Sequence, residues 1–316
     1  MMWGPNKGCV GGKVMPQSGH RGRYKTCIIC QGTEFQRVTD RVRDSDDYKV
    51  FKCLKCGLVQ ILPLPSPEED KAFYDRDQQS KSVWEKVEID KIRKNSSHDT
   101  KRRAKFIASC VPPRSKILDI GSGYGFFLEE MSNASYLMTG IEISKERREL
   151  AKKVTSVPIL DVDLTKSPPD LGKFDAITMF HVLEHLSNPV GFLQNLHPIL
   201  AKGGHLFVEV PNLEDLMLEA CAPYRSFFWQ RAHASYFSSD TLRRVLLDAG
   251  FKTVEIKGVQ RYGIDNMINW IMIGEPQLQE PSFQTSGPYS WLEQYYKAYL
   301  EDKKICDTLM AIARET

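Results

Sequence analysis

From residue 116 to residue 256 short apolar runs alternate with charged, helix-favouring stretches. Residues 117–120, 138–143, 157–160, 174–180, 205–210 and 251–256 read as strands, each a brief run rich in Ile, Leu, Val, Met or Phe. Residues 126–131, 145–153, 190–200 and 240–249 read as the helices between them, with Gly203-Gly204 as a C-terminal cap after the third and Gly250 closing the fourth. Strict alternation of strand and helix predicts the α/β class: a Rossmann-like, doubly wound, mainly parallel sheet with helices on both faces. Residues 276–288, rich in Pro, Gln and Ser, read as a linker. Residues 291–313 read as a closing amphipathic helix, with Trp291, Tyr295, Tyr296 and Tyr299 as packing residues.

The amino-terminal part has a different rhythm. Short β-type runs at 48–51 and 58–62 surround two pairs, Cys27-x-x-Cys30 and Cys53-x-x-Cys56, separated by 22 residues. Each pair makes a tight knuckle, and two knuckles close a four-thiolate tetrahedral site. The segment has few large apolar residues, so metal would supply its folding energy. The spacing predicts a small zinc ribbon with four cysteine ligands, whose closed coordination suits a structural role. Pro63-Leu64-Pro65-Ser66-Pro67 punctuates its end. The expected organisation is a flexible tail at 1–24, a zinc ribbon at 25–66, a helical linker at 67–105, a catalytic domain at 106–275, and a linker with a helix at 276–316.

Charge narrows the partners. With 43 Lys and Arg against 40 Asp and Glu, the net charge of +3 is far from the basic stripe of a strong nucleic-acid binder. Lys91, Arg93, Lys94, Lys101, Arg102, Arg103 and Lys105 cluster in one stretch and read as a solvated helical face. No apolar run reaches bilayer length, and the first 24 residues lack the apolar core of a signal peptide. A cytoplasmic location without membrane association is expected, in which paired cysteines bind metal rather than each other.

The chemistry concentrates in a glycine-rich turn. A strand ending at Asp119 runs into Gly121-Ser122-Gly123-Tyr124-Gly125 and then a helix, so bare backbone and a helix N-terminus face a ligand. Glu142 follows Gly121 by 21 residues, where its carboxylate accepts ribose hydroxyls. That spacing also suits a dinucleotide. Two details argue against one: Phe126 stands where the third fingerprint glycine belongs, and Asp119 would repel a pyrophosphate but welcome an ammonium. S-adenosylmethionine carries an ammonium, a carboxylate, a ribose and a sulfonium, and fits this inventory.

Taken together, ILDIGSGYGFFL (117–128), GIEIS (140–144), FDAITMFHVLEHLSNP (174–189) and LAKGGHLFVEVPN (200–212) resemble the successive motifs of class I S-adenosylmethionine-dependent methyltransferases. The likeness covers about residues 106–256 and is nearest to the subgroup of ubiquinone O-methyltransferases and sugar C-methyltransferases. It implies cofactor contacts from Asp119, Gly121, Ser122, Gly123, Tyr124, Gly125, Glu142, Ile143, Asp163 and Phe180, with Asp163 at the adenine amino group. A zinc ribbon in front of such a domain is similar to the sugar C-methyltransferases, although only about 60 residues follow here where that family carries a large second domain. The segment His233–Ser238 resembles their His-x-x-Tyr-Phe-Ser segment, which nominates His233 as general base, with Tyr236 and His181 as further catalytic candidates. Tyr224, Phe227, Phe228 and Trp229 read as the core of an inserted lid, or as a roof over the acceptor.

Glu184 and His185 with His181, plus the distant His233, resemble the Glu-x-x-Glu-His metal site of ubiquinone and small-RNA O-methyltransferases, but His181 replaces the first glutamate, so a catalytic divalent ion is not expected. The expected function is methyl transfer to a small polar acceptor, with a nucleotide-linked sugar or a surface-polysaccharide precursor as examples. Two other readings are an RNA methyltransferase gripping phosphates with the ribbon and the basic stretch, and a non-catalytic binding module. The first lacks an Asn/Asp-Pro-Pro-Tyr motif, the region reading Met179-Phe180-His181-Val182. Intact Asp119, Gly121, Gly123 and Glu142 argue against the second.

Overall fold

A computed structural model describes residues 26–66, 69, 89–166, 169–276 and 287–315. The expected tail, most of 67–88 and most of the 276–288 linker lie outside the described residues. In the amino-terminal module β1 (Phe35–Thr39), β2 (Lys49–Cys53) and β3 (Val59–Leu62) form an antiparallel meander. The long helix α1 (Ile89–Cys110) leads into the main domain and buries Ala104 and Ile107.

The main sheet is built from alternating units. In order come β4 (Lys116–Ile120), α2 (Phe126–Asn133), β5 (Leu137–Ile141), α3 (Lys145–Ala151), β6 (Ile159–Leu160), β7 (Phe174–Phe180), α4 (Pro189–Gln194) and β8 (Leu200–Pro211). After two short helices, α5 (Leu216–Ala220) and α6 (Ala222–Phe228), follow β9 (Ser235–Tyr236), α7 (Ser239–Asp248), β10 (Thr253–Val259), α8 (Ile264–Ile273), α9 (Ser290–Lys303) and β11 (Thr308–Arg314). The seven strands lie in the order β10-β11-β8-β7-β4-β5-β6. From β6 to β8 the pairings are parallel, while β11 is antiparallel to both of its neighbours. Strand order reverses between β4 and β7, which opens a crevice at their carboxyl ends. Ile117, Leu118 and Ile177 are fully buried, as strands covered on both faces require. Helices start where side chains cap them: Ser144 for α3, Asn188 followed by Pro189 for α4, and a Ser238–Thr241 capping box for α7.

Three expectations need correction. The helix expected over 291–313 stops at Lys303, Lys304 adopts φ +54°, and Thr308–Arg314 enters the sheet between β10 and β8. Six consecutive buried residues, Thr308 to Ala313, have no polar face to offer water, so they suit a central strand and not a surface helix. Gly203-Gly204 does not cap a helix. The helix expected over 190–200 ends at Gln194, and both glycines lie inside β8, where the register with β7 shifts between Phe174 and Ala176. A Cβ on Gly204 would stand 2.8 Å from the Ala201 carbonyl oxygen and 3.0 Å from that of Asp175, so this bulge requires glycine.

The third correction concerns the boundary at 66. In space β9, from beyond β8, pairs antiparallel with β3 and completes a four-stranded sheet, β1-β2-β3-β9. Cys27, Phe51, Leu58 and Leu62 of the module share one apolar cluster with Leu183, Phe237 and Leu242 of the main domain. A proline-rich punctuation ends the module along the chain, but its core continues into the catalytic domain.

Candidate active site

The glycine turn lies at the carboxyl end of β4. Asp119 is 3% exposed, and its Oδ1 accepts a hydrogen bond from the Thr178 hydroxyl at 2.7 Å. Burial pushes its carboxyl up to about 7 despite that bond, since no cation neutralises it fully. An ammonium placed beside it would restore the charge. Gly121, Gly123 and Gly125 all have positive φ. Gly121 is needed for space as well: a Cβ there would come within 2.5 Å of the Val182 side chain. The turn after β7 therefore packs directly against the glycine turn.

Glu142, at the end of β5, is buried and closes the other side. Its two carboxylate oxygens accept from the Gly123 N–H at 2.9 Å and the Ser144 N–H at 2.8 Å. Each oxygen keeps a further lone pair, enough to accept from two hydroxyls. Ser122 Oγ is buried with no hydrogen-bond partner. Tyr124 is half-buried beside Phe126, Ile143 is exposed, and Phe180 meets Phe127 edge to face at 5.0 Å. Asp163 follows β6, exposed, and accepts from the Thr165 N–H at 2.9 Å.

The second half of the site surrounds His181, whose backbone sits at φ +57°, a conformation uncommon outside glycine. Its Nδ1 is 3.2 Å from Glu184 Oε1 and its Nε2 is 3.4 Å from Glu209 Oε1. Burial disfavours charge on this ring, but the hydrogen bonds to the two carboxylates outweigh it and raise His181 above the ordinary histidine value. Burial alone would also raise Glu184, yet His181, His185 and His233 together hold its carboxyl down at about 2.

His233 is 6% exposed, and its ring meets that of His185 edge to face at 5.0 Å. Burial, reinforced by His185, drives it down to about 3, so at neutral pH the imidazole is uncharged. His185 Nδ1 donates to the Ala232 carbonyl at 2.6 Å, which leaves Nε2 with its lone pair. One donor atom each from Glu184, His185 and His233 lie within 4.8 Å of one another. The resemblance to a Glu-x-x-Glu-His site had joined Glu184 and His185 to His181 and the distant His233; the fold groups Glu184, His185 and His233.

Tyr236 is corrected. Its hydroxyl accepts from the Gln230 N–H at 2.9 Å and donates to the Gln230 carbonyl at 3.0 Å, and the ring is buried. It fastens the segment that carries His233, with its hydroxyl proton engaged by that carbonyl. Phe228 and Trp229 are buried against the cysteine module with Tyr236, as core rather than roof.

Glu209 was missed. It is fully buried near the end of β8, and its carboxylate receives Arg102 Nη2 at 2.9 Å and Arg103 Nε at 2.9 Å. Burial would raise it, but Arg103, His181 and Arg102 hold it well below the ordinary range. Arg261 donates to Asp99 at 2.7 Å and lies 3.1 Å from His181 Nε2. The basic stretch of α1 is thus not one solvated face: Arg102 and Arg103 turn inward to satisfy Glu209. A lone glutamate inside the apolar run His205–Val210 was the available signal, since a buried acid needs cations.

The four cysteines converge as the spacing implied. Cys27 and Cys56 sulfurs are 3.4 Å apart, Cys30 and Cys53 sulfurs 3.5 Å apart, and all four lie within 4.8 Å.

A family model described as a methyltransferase domain matches residues 91–256. A stretch of 107 residues is 30% identical to the ubiquinone biosynthesis O-methyltransferase of Haemophilus ducreyi, covering 31% of this chain and 45% of that protein. The Xanthomonas campestris enzyme of the same name is 30% identical over 117 residues, with 35% and 49% covered. The chain thus spans less than half the length of these curated relatives. A solved S-adenosylmethionine-dependent methyltransferase from Thermotoga maritima shares the fold at a TM-score of 0.50 and 18% identity, covering 78% of this chain and 100% of that one. No described helix is long and apolar enough to cross a membrane. With more than half of the chain inside the family match, and the expected crevice at the β4–β7 switch, the protein belongs to the class I S-adenosylmethionine-dependent methyltransferases.

Proposed function

We propose that this protein transfers the methyl group of S-adenosylmethionine to a small polar acceptor held between the glycine turn and the His181–His185–His233 cluster. The observation that carries this reading is the packing of Val182 into the space left by Gly121, which sets the histidine-bearing turn against the cofactor cradle. The cofactor supplies a methyl already activated on a sulfonium. Asp119 would hold its ammonium, the bare backbone at 121–125 its amino-acid part, and Glu142 its ribose hydroxyls. Ile143, Asp163 and Phe180 would flank its base and sulfur. The protein's main task is then alignment.

His233 is assigned to take the acceptor proton. An imidazole lowered to about 3 is a weak base, but a hydroxyl becomes strongly acidic as its oxygen gains a methyl, and a neutral ring suffices for that late transfer. Arg102 and Arg103, occupied by Glu209, are unavailable to grip a phosphate backbone, which favours a small acceptor over RNA. For the cysteine module the reading is structural zinc: four thiolates at a Zn–S distance of about 2.3 Å require sulfurs roughly 3.8 Å apart, close to the spacing present.

A second reading is favoured by one detail. Glu184 Oε2 is buried without a hydrogen-bond partner, close to ring nitrogens of His185 and His233. Those three residues would hold a divalent ion, which would acidify a bound hydroxyl.

The test uses radiolabelled S-adenosylmethionine with fractionated cell extract as acceptor source. His233→Ala should abolish label transfer while leaving cofactor affinity unchanged, and full transfer by that variant removes the assignment. Metal analysis separates the readings: one metal per chain, unaffected by Glu184→Gln, supports the base; two, falling to one in that variant, support the ion.

A further inference from the structure

The cysteine module and the His233 segment are joined by backbone contacts on both sides of the histidine. Val59 of β3 lies opposite Tyr236, and Gln60 opposite Ser235. The Ile61 N–H donates to the Ala234 carbonyl at 3.1 Å. From the loop between β1 and β2, the Arg43 N–H donates to the Trp229 carbonyl at 2.8 Å, and Asp44 accepts from the Arg231 N–H at 2.7 Å. Residues on both sides of His233 therefore hang on the module's backbone. Val50, Val59 and Ile61 seal the joint against Phe228, Trp229 and Tyr236.

A side-chain relay reaches the ring itself. Arg43 Nη2 donates to Gln230 Oε1 at 2.8 Å, with its guanidinium 4.0 Å from the centre of the Phe227 ring. Holding the amide oxygen turns the amide nitrogen toward His233, 3.0 Å from Nε2 and 3.4 Å from Nδ1. The amide N–H reaches both ring nitrogens and can donate to whichever lacks a proton, so the relay holds the ring in place.

We propose that the cysteine module is a wall of the acceptor site, and that Arg43 and Gln230 are positioning residues that orient His233. This rests on reading His233 as an acceptor-side residue. The four-cysteine cluster fixes β2 and β3, these hold β9 and the 229–236 segment, and the segment presents the histidine. Loss of the module's metal then unsettles the acceptor half and spares the cofactor half.

Two measurements on the full chain test this. In long-range proton–nitrogen spectra of histidine-labelled protein at one fixed pH, Arg43→Ala and Gln230→Leu should shift the His233 ring nitrogens, and Arg43→Lys, which can still donate to Gln230, should restore them. His233 signals identical in all four proteins overturn the relay. In hydrogen exchange, stripping the module's metal should remove protection from 229–236 while 121–125 keeps its own. Retained protection in 229–236, or equal loss in both segments, overturns the wall. Titration with S-adenosylmethionine accompanies both: a native protein that does not bind it sinks the methyltransferase reading, while ring spectra and exchange still decide this proposal.

Discussion

The two halves of the site are made in different ways. The half proposed for the cofactor uses residues of a single βαβ unit, at the ends of adjacent parallel strands: Asp119 and the glycine turn at the end of β4, Glu142 after β5. The half proposed for the acceptor draws on residues far apart in sequence: Arg43 from the cysteine module, Glu184 and His185 after β7, His233 before β9. The first is local geometry, which any correctly folded βαβ unit reproduces. The second exists only when distant segments dock, so it should fail first when the fold is disturbed.

The sharpest way to break this division is Gly121→Val. A side chain there meets Val182 and must also adopt positive φ, together costing about 3 kcal/mol, a loss of cofactor affinity on the order of a hundredfold. Because Val182 adjoins His181, this is also the one cofactor-side change expected to disturb the acceptor half, visible as faster exchange around 181–185. Glu142→Ala removes the acceptor of two backbone N–H groups and the one proposed for the ribose hydroxyls, and calorimetry should show roughly a ten- to hundredfold weaker complex. Exchange in 229–236 should stay unchanged; if it rises, the halves are not separate.

A pH series sharpens the comparison further. In the free protein Asp119 is protonated below about 7. Binding an ammonium requires the carboxylate, so below that value a proton must leave. Affinity should fall about tenfold per pH unit below about 7 and level off above it until the cofactor's own ammonium loses its proton. His233, uncharged down to about 3, adds no acid limb in that range. The smallest effect belongs to Tyr236→Phe: loss of its bonds to the Gln230 backbone should cost about 1 kcal/mol in denaturant unfolding, with cofactor affinity intact. Unchanged stability with turnover reduced by orders of magnitude would restore Tyr236 as a proton carrier.

The same contrast explains what could be read before folding. The glycine turn, Asp119 and Glu142 were legible because strand, turn and acid follow one another at set spacing. Both Cys-x-x-Cys pairs were legible for the same reason. The pairing of β3 with β9 was not, since two residues, Ser235 and Tyr236, carry too little pattern to announce a strand. Nor was β11: its run of buried residues followed a helical stretch and was absorbed into that helix's expected length. Arg102 and Arg103 looked like surface charge because Glu209, the acid that turns them inward, lies more than a hundred residues away. What escaped was in each case a contact between segments.

Calorimetric titration of the native protein with S-adenosylmethionine tests the central claim most directly. One molecule should bind per chain, weakening by orders of magnitude in Gly121→Val and with falling pH, and NAD should give no heat. Absence of binding, or a preference for NAD, would contradict the account.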